Sequence, residues 1–223
     1  MIKKHVLVNV MAALIAVGIT SMPVVHAQSG IDPSDGLSQT VLIDKSHPLR
    51  PLTYRPPELV VPLVLLAEFP TNPEMQVAPV TAGALNNLFK AAQANDISLV
   101  LSSGYRSYDD QAALYAGSLK NDGLAAAESV ARPGYSEHQS GLAADVIPYN
   151  YFCAAQGCFA LSRAAAWLGS NSYRYGLIVR YPLHKEASTG YEYEPWHLRY
   201  VGIPLAERLH VTGQTLEEYY GLP

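Results

Sequence analysis

Cysteine is nearly absent from this chain: only Cys153 and Cys158 occur among 223 residues. A thiolate zinc site needs further sulfur ligands, and none exists to complete one. With four residues between them, the two cysteines would close a small disulfide loop in an oxidising compartment. The alternative is a pair of metal ligands. A loop that short gains only modest stability from closure, so its role would be to shape a turn. Basic residues are outnumbered, with 15 Lys and Arg against 19 Asp and Glu. No basic patch stands out, which makes nucleic acid a poor partner. Three familiar catalytic signatures are missing as well. There is no Gly-x-Ser-x-Gly elbow, no serine three positions before a lysine, and no His-Glu-x-x-His helix.

A long apolar run occurs in one place. Lys3 and Lys4 precede an uncharged stretch from Val6 to Thr20, Met22-Pro23 breaks it, and Val25-His26-Ala27 offers small residues for a peptidase. Residues 1–27 read as a secretory signal peptide cut after Ala27. A short membrane anchor is the alternative, but the run falls short of the roughly 20 residues a span requires. The mature chain would then be exported, to the periplasm or to the extracellular cell wall, with no stable membrane insertion. Cleavage removes two lysines and no acid, so the mature protein is more acidic still.

Residues 28–80 carry prolines at 33, 48, 51, 56, 57, 62, 70, 73 and 79. That density forbids long regular elements and predicts an extended arm, in which the apolar stretch Leu59 to Leu66 needs burial. From residue 81 to 223 the pattern is that of one domain. Thr81 would cap a helix from Ala82 to Ala94 with Leu85, Leu88 and Phe89 on one face. Ile97–Leu101 reads as a strand, Asp109–Leu119 as a helix with Leu114 and Tyr115 inward, and 124–131 as a third helix. Leu142–Ile147 reads as a strand with Gly141, Ala143 and Asp145 on one face. A helix capped by Ser162, short strands at 177–179 and 197–201, a helix opened by Pro204 and a last turn at 216–220 complete the series. Helices and strands mix without a βαβ rhythm, so the fold class is α+β.

The chemistry concentrates in Ser136-Glu137-His138, Asp145 and Glu194-Pro195-Trp196-His197. Two histidines and an aspartate match a catalytic zinc site with three protein ligands and one open position. Singly, each has a bland explanation: an exposed histidine, a turn-forming aspartate, a solvated glutamate. Joined, His138, Asp145 and His197 supply a ligand set, and Glu194 supplies a general base for a water held there. Glu194 and His197 would point to opposite sides of an ideal strand, so Glu194 is expected in the loop entering it. Arg106 follows a strand end and would clamp a carboxylate or steady an oxyanion; an ion pair with Asp109 or Asp110 is its structural alternative.

These segments, Ser103-Gly104-Tyr105-Arg106-Ser107 with Gln111, Gly134 to Val146, and Tyr191 with Glu194 to Gly202, closely resemble the VanY/LdcB-type D-alanyl-D-alanine carboxypeptidases of the M15 zinc peptidases. The likeness runs over residues 41–221. It implies a single catalytic α+β domain of the Hedgehog/DD-peptidase kind, with a central antiparallel sheet flanked by helices, and one zinc ion. It implies His138, Asp145 and His197 as ligands, Glu194 as general base, and Arg106, Gln111, Ser136 and Tyr191 as contacts to the substrate. The implied partner is a peptidoglycan stem peptide losing its terminal D-alanine. An endopeptidase or dipeptidase on the same scaffold, or an inactive wall-binding module, are the other readings.

Overall fold

The computed structural model describes residues 38–123 and 129–222. The expected signal peptide lies outside them, as does most of the helix expected at 124–131. Four strands, β1 (Leu99–Ser103), β2 (Ala143–Pro148), β3 (Leu177–Tyr181) and β4 (Glu194–Tyr200), form one sheet. Their order is β1-β2-β4-β3, and every neighbouring pair is antiparallel. Strand alternation then sorts the side chains. Ala144, Val146 and Leu198 are fully buried in the main core. Asp145, His197 and Arg199 occupy the intervening positions, on the opposite face.

Helix α1 (Pro79–Gln93) covers the core face. Leu85, Leu88 and Ala92 recur at helical spacing and are completely buried, and each leucine contributes about 1.5–3 kcal/mol by leaving water. The helix starts earlier than Thr81 suggests. Ala78 is its N-cap and Pro79 opens the first turn, because a fixed φ and a missing N–H cost nothing there. Thr81 is instead buried inside the helix.

Helix α2 (Tyr108–Asp122) is capped by Ser107, whose hydroxyl accepts the Asp110 N–H at 3.1 Å. Of its two expected inward residues, Tyr115 is half-buried but Leu114 is 44% exposed, and Gln111 is the buried residue among those described in the helix. The covered face of α2 is the stripe Tyr108, Ala112, Tyr115 and Leu119, all half-buried, with Gln111 beside it.

The proline-rich segment holds to the domain in extended form. Val60 pairs with Val77 and Leu66 with Leu101 as single bridges. The 59–66 stretch is covered except at two alternate positions: Val60, Val64 and Leu66 pack on the core while Leu63 and Leu65 face water. Further upstream, Val41, Ile43 and Leu49 cluster with Leu142. Cys153 and Cys158 form a disulfide with Cα atoms 5.5 Å apart. No helix among the described residues is long and apolar enough to cross a membrane.

Candidate metal centre

Asp145 on β2 lies directly opposite His197 on β4 and Ser103 on β1. Residues opposed across antiparallel strands share a face, so register alone brings an aspartate beside a histidine 52 positions away. His138 arrives from the 3-10 turn Glu137–Ser140 that precedes β2. The Ser140 hydroxyl pins that turn, donating to the Glu137 carbonyl at 2.5 Å and accepting the Leu142 N–H at 3.1 Å. Gly141 then reverses the chain with φ +70, where a side chain would press on the Ala78 nitrogen at 3.0 Å. The result is one donor atom from each of His138, Asp145 and His197, all within 4.8 Å of one another.

The far ring nitrogens decide which atoms face inward. His138 donates from Nδ1 to the Gly104 carbonyl at 2.6 Å, leaving Nε2 toward Asp145 Oδ2 at 3.4 Å. His197 donates from Nε2 to Glu137 at 3.2 Å and turns Nδ1 toward Asp145 Oδ1 at 3.1 Å. Tyr181 stacks on the His197 ring at 5.0 Å. Two neutral imidazole nitrogens and a carboxylate oxygen, each imidazole oriented from behind, are a donor set that fits zinc.

Glu194 reaches this point by a route the sequence does not suggest. It is not in a loop but is the first residue of β4, paired with Tyr181. Between the Val179–Leu198 and Tyr181–Glu194 pairs, β3 advances two positions and β4 advances four. The bulge absorbs Pro195, which has no N–H to give a ladder, and resets the alternation. Glu194 Oε2 therefore stands 4.0 Å from His197 Nδ1, on the ligand side. Burial pushes the Glu194 carboxyl up to about 7; His197 pulls it down, and Asp145, Glu137 and Glu192 add to the rise. For Asp145, burial is outweighed by the two histidines, which hold it well below the usual carboxylate range. Burial opposes charge on His197, but hydrogen bonds to Asp145 and Glu137 lift it to about 10. To hold an ion, the Nδ1 of His197 would have to give up its proton.

Arg106 sits at the edge of this row. It donates to Ser103 Oγ at 2.9 Å, Gln111 Oε1 at 3.2 Å and Glu74 Oε1 at 3.3 Å. Its acidic partner is thus Glu74 of the arm rather than Asp109 or Asp110. A guanidinium has five N–H donors, so these three bonds orient it without exhausting it. Gln111 is fixed in turn by donating to the Ala131 carbonyl at 2.7 Å. Ser136 is buried at the start of the His138 turn. Tyr191 packs on Tyr181 with ring centroids 4.5 Å apart, and its buried hydroxyl has no hydrogen-bond partner among the described residues.

Behind these side chains lies a buried charge cluster that joins Glu137 and Arg199 of the motif segments to Arg180 and Glu217 outside them. Glu137 is fully buried and accepts from Arg180 Nε at 2.7 Å and Arg199 Nη1 at 2.6 Å. Arg180 also forks onto Glu217 at 2.5 and 3.1 Å. Burial would raise the Glu137 carboxyl, but Arg180 and Arg199 hold it well below its ordinary value. Arg199 carries the arm too, donating to the carbonyls of Gln39 at 3.2 Å and Val41 at 2.7 Å. It belongs to the segment that carries the resemblance and stands two residues after His197, on the same face of β4.

An antiparallel sheet presenting a histidine–aspartate–histidine set, with a buried carboxylate beside it and an oriented arginine at its edge, defines a metal-dependent hydrolase. Comparison with known proteins narrows the class. Residues 74–203 match the family model for VanY, D-alanyl-D-alanine carboxypeptidase. The chain is 41% identical over 184 residues to YodJ of Bacillus subtilis, a protein named as a carboxypeptidase, covering 80% of this chain and 66% of that one. It is 40% identical over 183 residues to the bifunctional D-Ala-D-Ala dipeptidase and carboxypeptidase VanXYC of Enterococcus gallinarum, covering 80% and 92%. The solved LdcB LD-carboxypeptidase superposes with a TM-score of 0.78 at 38% identity, over 85% of this chain and 87% of that one. A VanY D,D-pentapeptidase variant solved with Zn(II) superposes with a TM-score of 0.66 at 32% identity, over 82% and 98%. The chain belongs to the VanY family of D-alanyl-D-alanine carboxypeptidases, and zinc is the cofactor its donor set takes.

Proposed function

We propose that the protein is an exported zinc carboxypeptidase that removes the C-terminal D-alanine from peptidoglycan stem peptides. The observation that carries the reading is the convergence of three donor atoms within 4.8 Å, with Glu194 Oε2 standing 4.0 Å from His197 Nδ1. His138, Asp145 and His197 would hold the ion. Zinc in such a site supplies Lewis-acid polarisation of a carbonyl and acidifies a water to a pKa of roughly 7. Glu194 takes the proton from the attacking water and returns it to the leaving amine. Its buried, partly desolvated setting suits both halves of that task. Arg106 clamps the terminal carboxylate, held in place by Ser103, Glu74 and Gln111. Gln111, Ser136 and Tyr191 contact the terminal residue, and the unpartnered Tyr191 hydroxyl is available to donate. Export rests on the leader-like residues 1–27.

A second reading has a specific observation behind it: VanXYC, a relative aligned over most of its length, is named for both dipeptidase and carboxypeptidase activity. The deciding assay measures D-alanine released by the zinc-loaded protein from a stem pentapeptide, a stem tetrapeptide and free D-Ala-D-Ala. Release from a stem peptide supports the carboxypeptidase, and the preferred length assigns D,D- or L,D-specificity. Release from the free dipeptide alone would mark a dipeptidase. Zinc bound tightly with no D-amino acid freed from any of the three sinks both the carboxypeptidase and the dipeptidase readings.

A further inference from the structure

We infer that Glu137 is a positioning residue for the metal centre, acting through His197 and anchored by the Arg180–Arg199–Glu217 cluster. The inference rests on the ligand reading of His197 given above. An imidazole can present either nitrogen to an ion, and the choice is set by what the other nitrogen bonds. For His197 the other nitrogen is Nε2, and its partner is Glu137 Oε2 at 3.2 Å. A carboxylate only accepts, so Nε2 carries a proton toward Glu137. Nδ1 likewise faces Asp145 Oδ1 at 3.1 Å in the metal-free protein. When an ion takes Nδ1 and Asp145, the proton that remains is the one Glu137 holds on Nε2.

The same carboxylate is unusually well fixed. Its other oxygen, Oε1, receives Arg180 at 2.7 Å and Arg199 at 2.6 Å, and both guanidiniums are fully buried. Glu217 locks Arg180 from the far side. Two arginines and two glutamates balance in formal charge while holding Oε2 still. Tyr181 covers the face of the ring, which removes the remaining freedom of His197 to swing. Glu137 does not approach the reacting atoms; it acts on the ligand from behind.

The test compares two isosteric variants, Glu137→Gln and Glu217→Gln. Each removes one buried negative charge from the cluster, but only the first touches His197. Zinc affinity is read by competition with a chromophoric chelator, and the thermal midpoint of the metal-free protein is read separately. E137Q is expected to lose roughly 10- to 100-fold in zinc affinity, the range found for partners of metal-bound histidines. E217Q is expected to lower the thermal midpoint while keeping affinity within about threefold of wild type. If E137Q binds zinc as the wild type does, or if E217Q loses as much affinity as E137Q, the inference is overturned. Nitrogen-15 spectra of histidine in the zinc-loaded wild type give a measurement free of any folding defect. A proton on Nε2 of His197 supports the inference, and one on Nδ1 overturns it. A wild type that takes up no zinc overturns the ligand reading itself, which separates that failure from this one.

Discussion

Replacing Gly104 with alanine should damage stability and the metal centre through a single methyl group. A Cβ there would lie 2.4 Å from the Gln76 carbonyl, 2.9 Å from the Glu74 carbonyl and 2.9 Å from Val77 Cγ1. Two of these atoms are backbone, so the neighbour must move as a whole. Moving it breaks the Gly104 N–H bond to Glu74 at 2.5 Å and the Tyr105 N–H bond to Gln76 at 2.7 Å. Each is worth about 1 kcal/mol net, and overpacking adds about 1–2 kcal/mol. The expected loss is about 3–4 kcal/mol, or a thermal midpoint lower by roughly 6–16 °C for a chain of this size. The Gly104 carbonyl also accepts from His138 Nδ1 at 2.6 Å. Its displacement should weaken zinc binding about tenfold or more. Gly83 provides the control: it is exposed on α1 with nothing within 4 Å of a Cβ. G83A should stabilise by about 0.5–1 kcal/mol, as alanine does for glycine in a helix. Melts of both variants without metal, followed by chelator competition, check the chain of reasoning. A G104A protein that melts within about 2 °C of wild type refutes it.

Glu194→Gln should retain zinc, because Glu194 supplies no ligand atom, yet lose about 10²- to 10⁴-fold in kcat; single-turnover release of D-alanine measures this, and near-normal turnover would count against the base. Arg106→Met should raise KM for substrates ending in a free carboxylate far more than for their amides, so a wild type indifferent to amidation would contradict the clamp. In metal-free protein the Glu194 carboxyl sits near 7, and a nearby cation favours its ionised form; the acid limb of kcat/KM should therefore fall below pH 7, and a midpoint above 7 would argue against Glu194 as the group titrating. Stripping zinc with a chelator should lower the thermal midpoint reversibly, by an amount that grows with the zinc concentration restored.

The gathering of His138, Asp145 and His197 is legible in the sequence because its parts obey local rules. Gly141 permits the reversal after His138, and strand alternation places Asp145 on the face away from Ala144 and Val146. What escapes depends on partners that one segment cannot reveal. The convergence of Glu194 with His197 comes from a bulge defined against β3, so Pro195 read alone suggests a loop instead. Glu137, Arg180 and Glu217 look like ordinary charges until the fold buries them together. The outward turn of Leu114, by contrast, was readable in α2, since the stripe Tyr108, Ala112, Tyr115 and Leu119 leaves Leu114 off the covered face. At Pro79 a stronger local rule was present, since a proline in the first turn outweighs a threonine cap two residues later.

The pairing of Asp145 with His197 across neighbouring strands bears on how the chain is born. During synthesis the ribosome delivers residue 145 long before residue 197, and the two cannot face each other until β4 has docked. A nascent or half-unravelled polypeptide thus offers only scattered imidazoles with no chelate among them. An ion held by all three side chains would therefore be captured late in maturation, after β4 has docked.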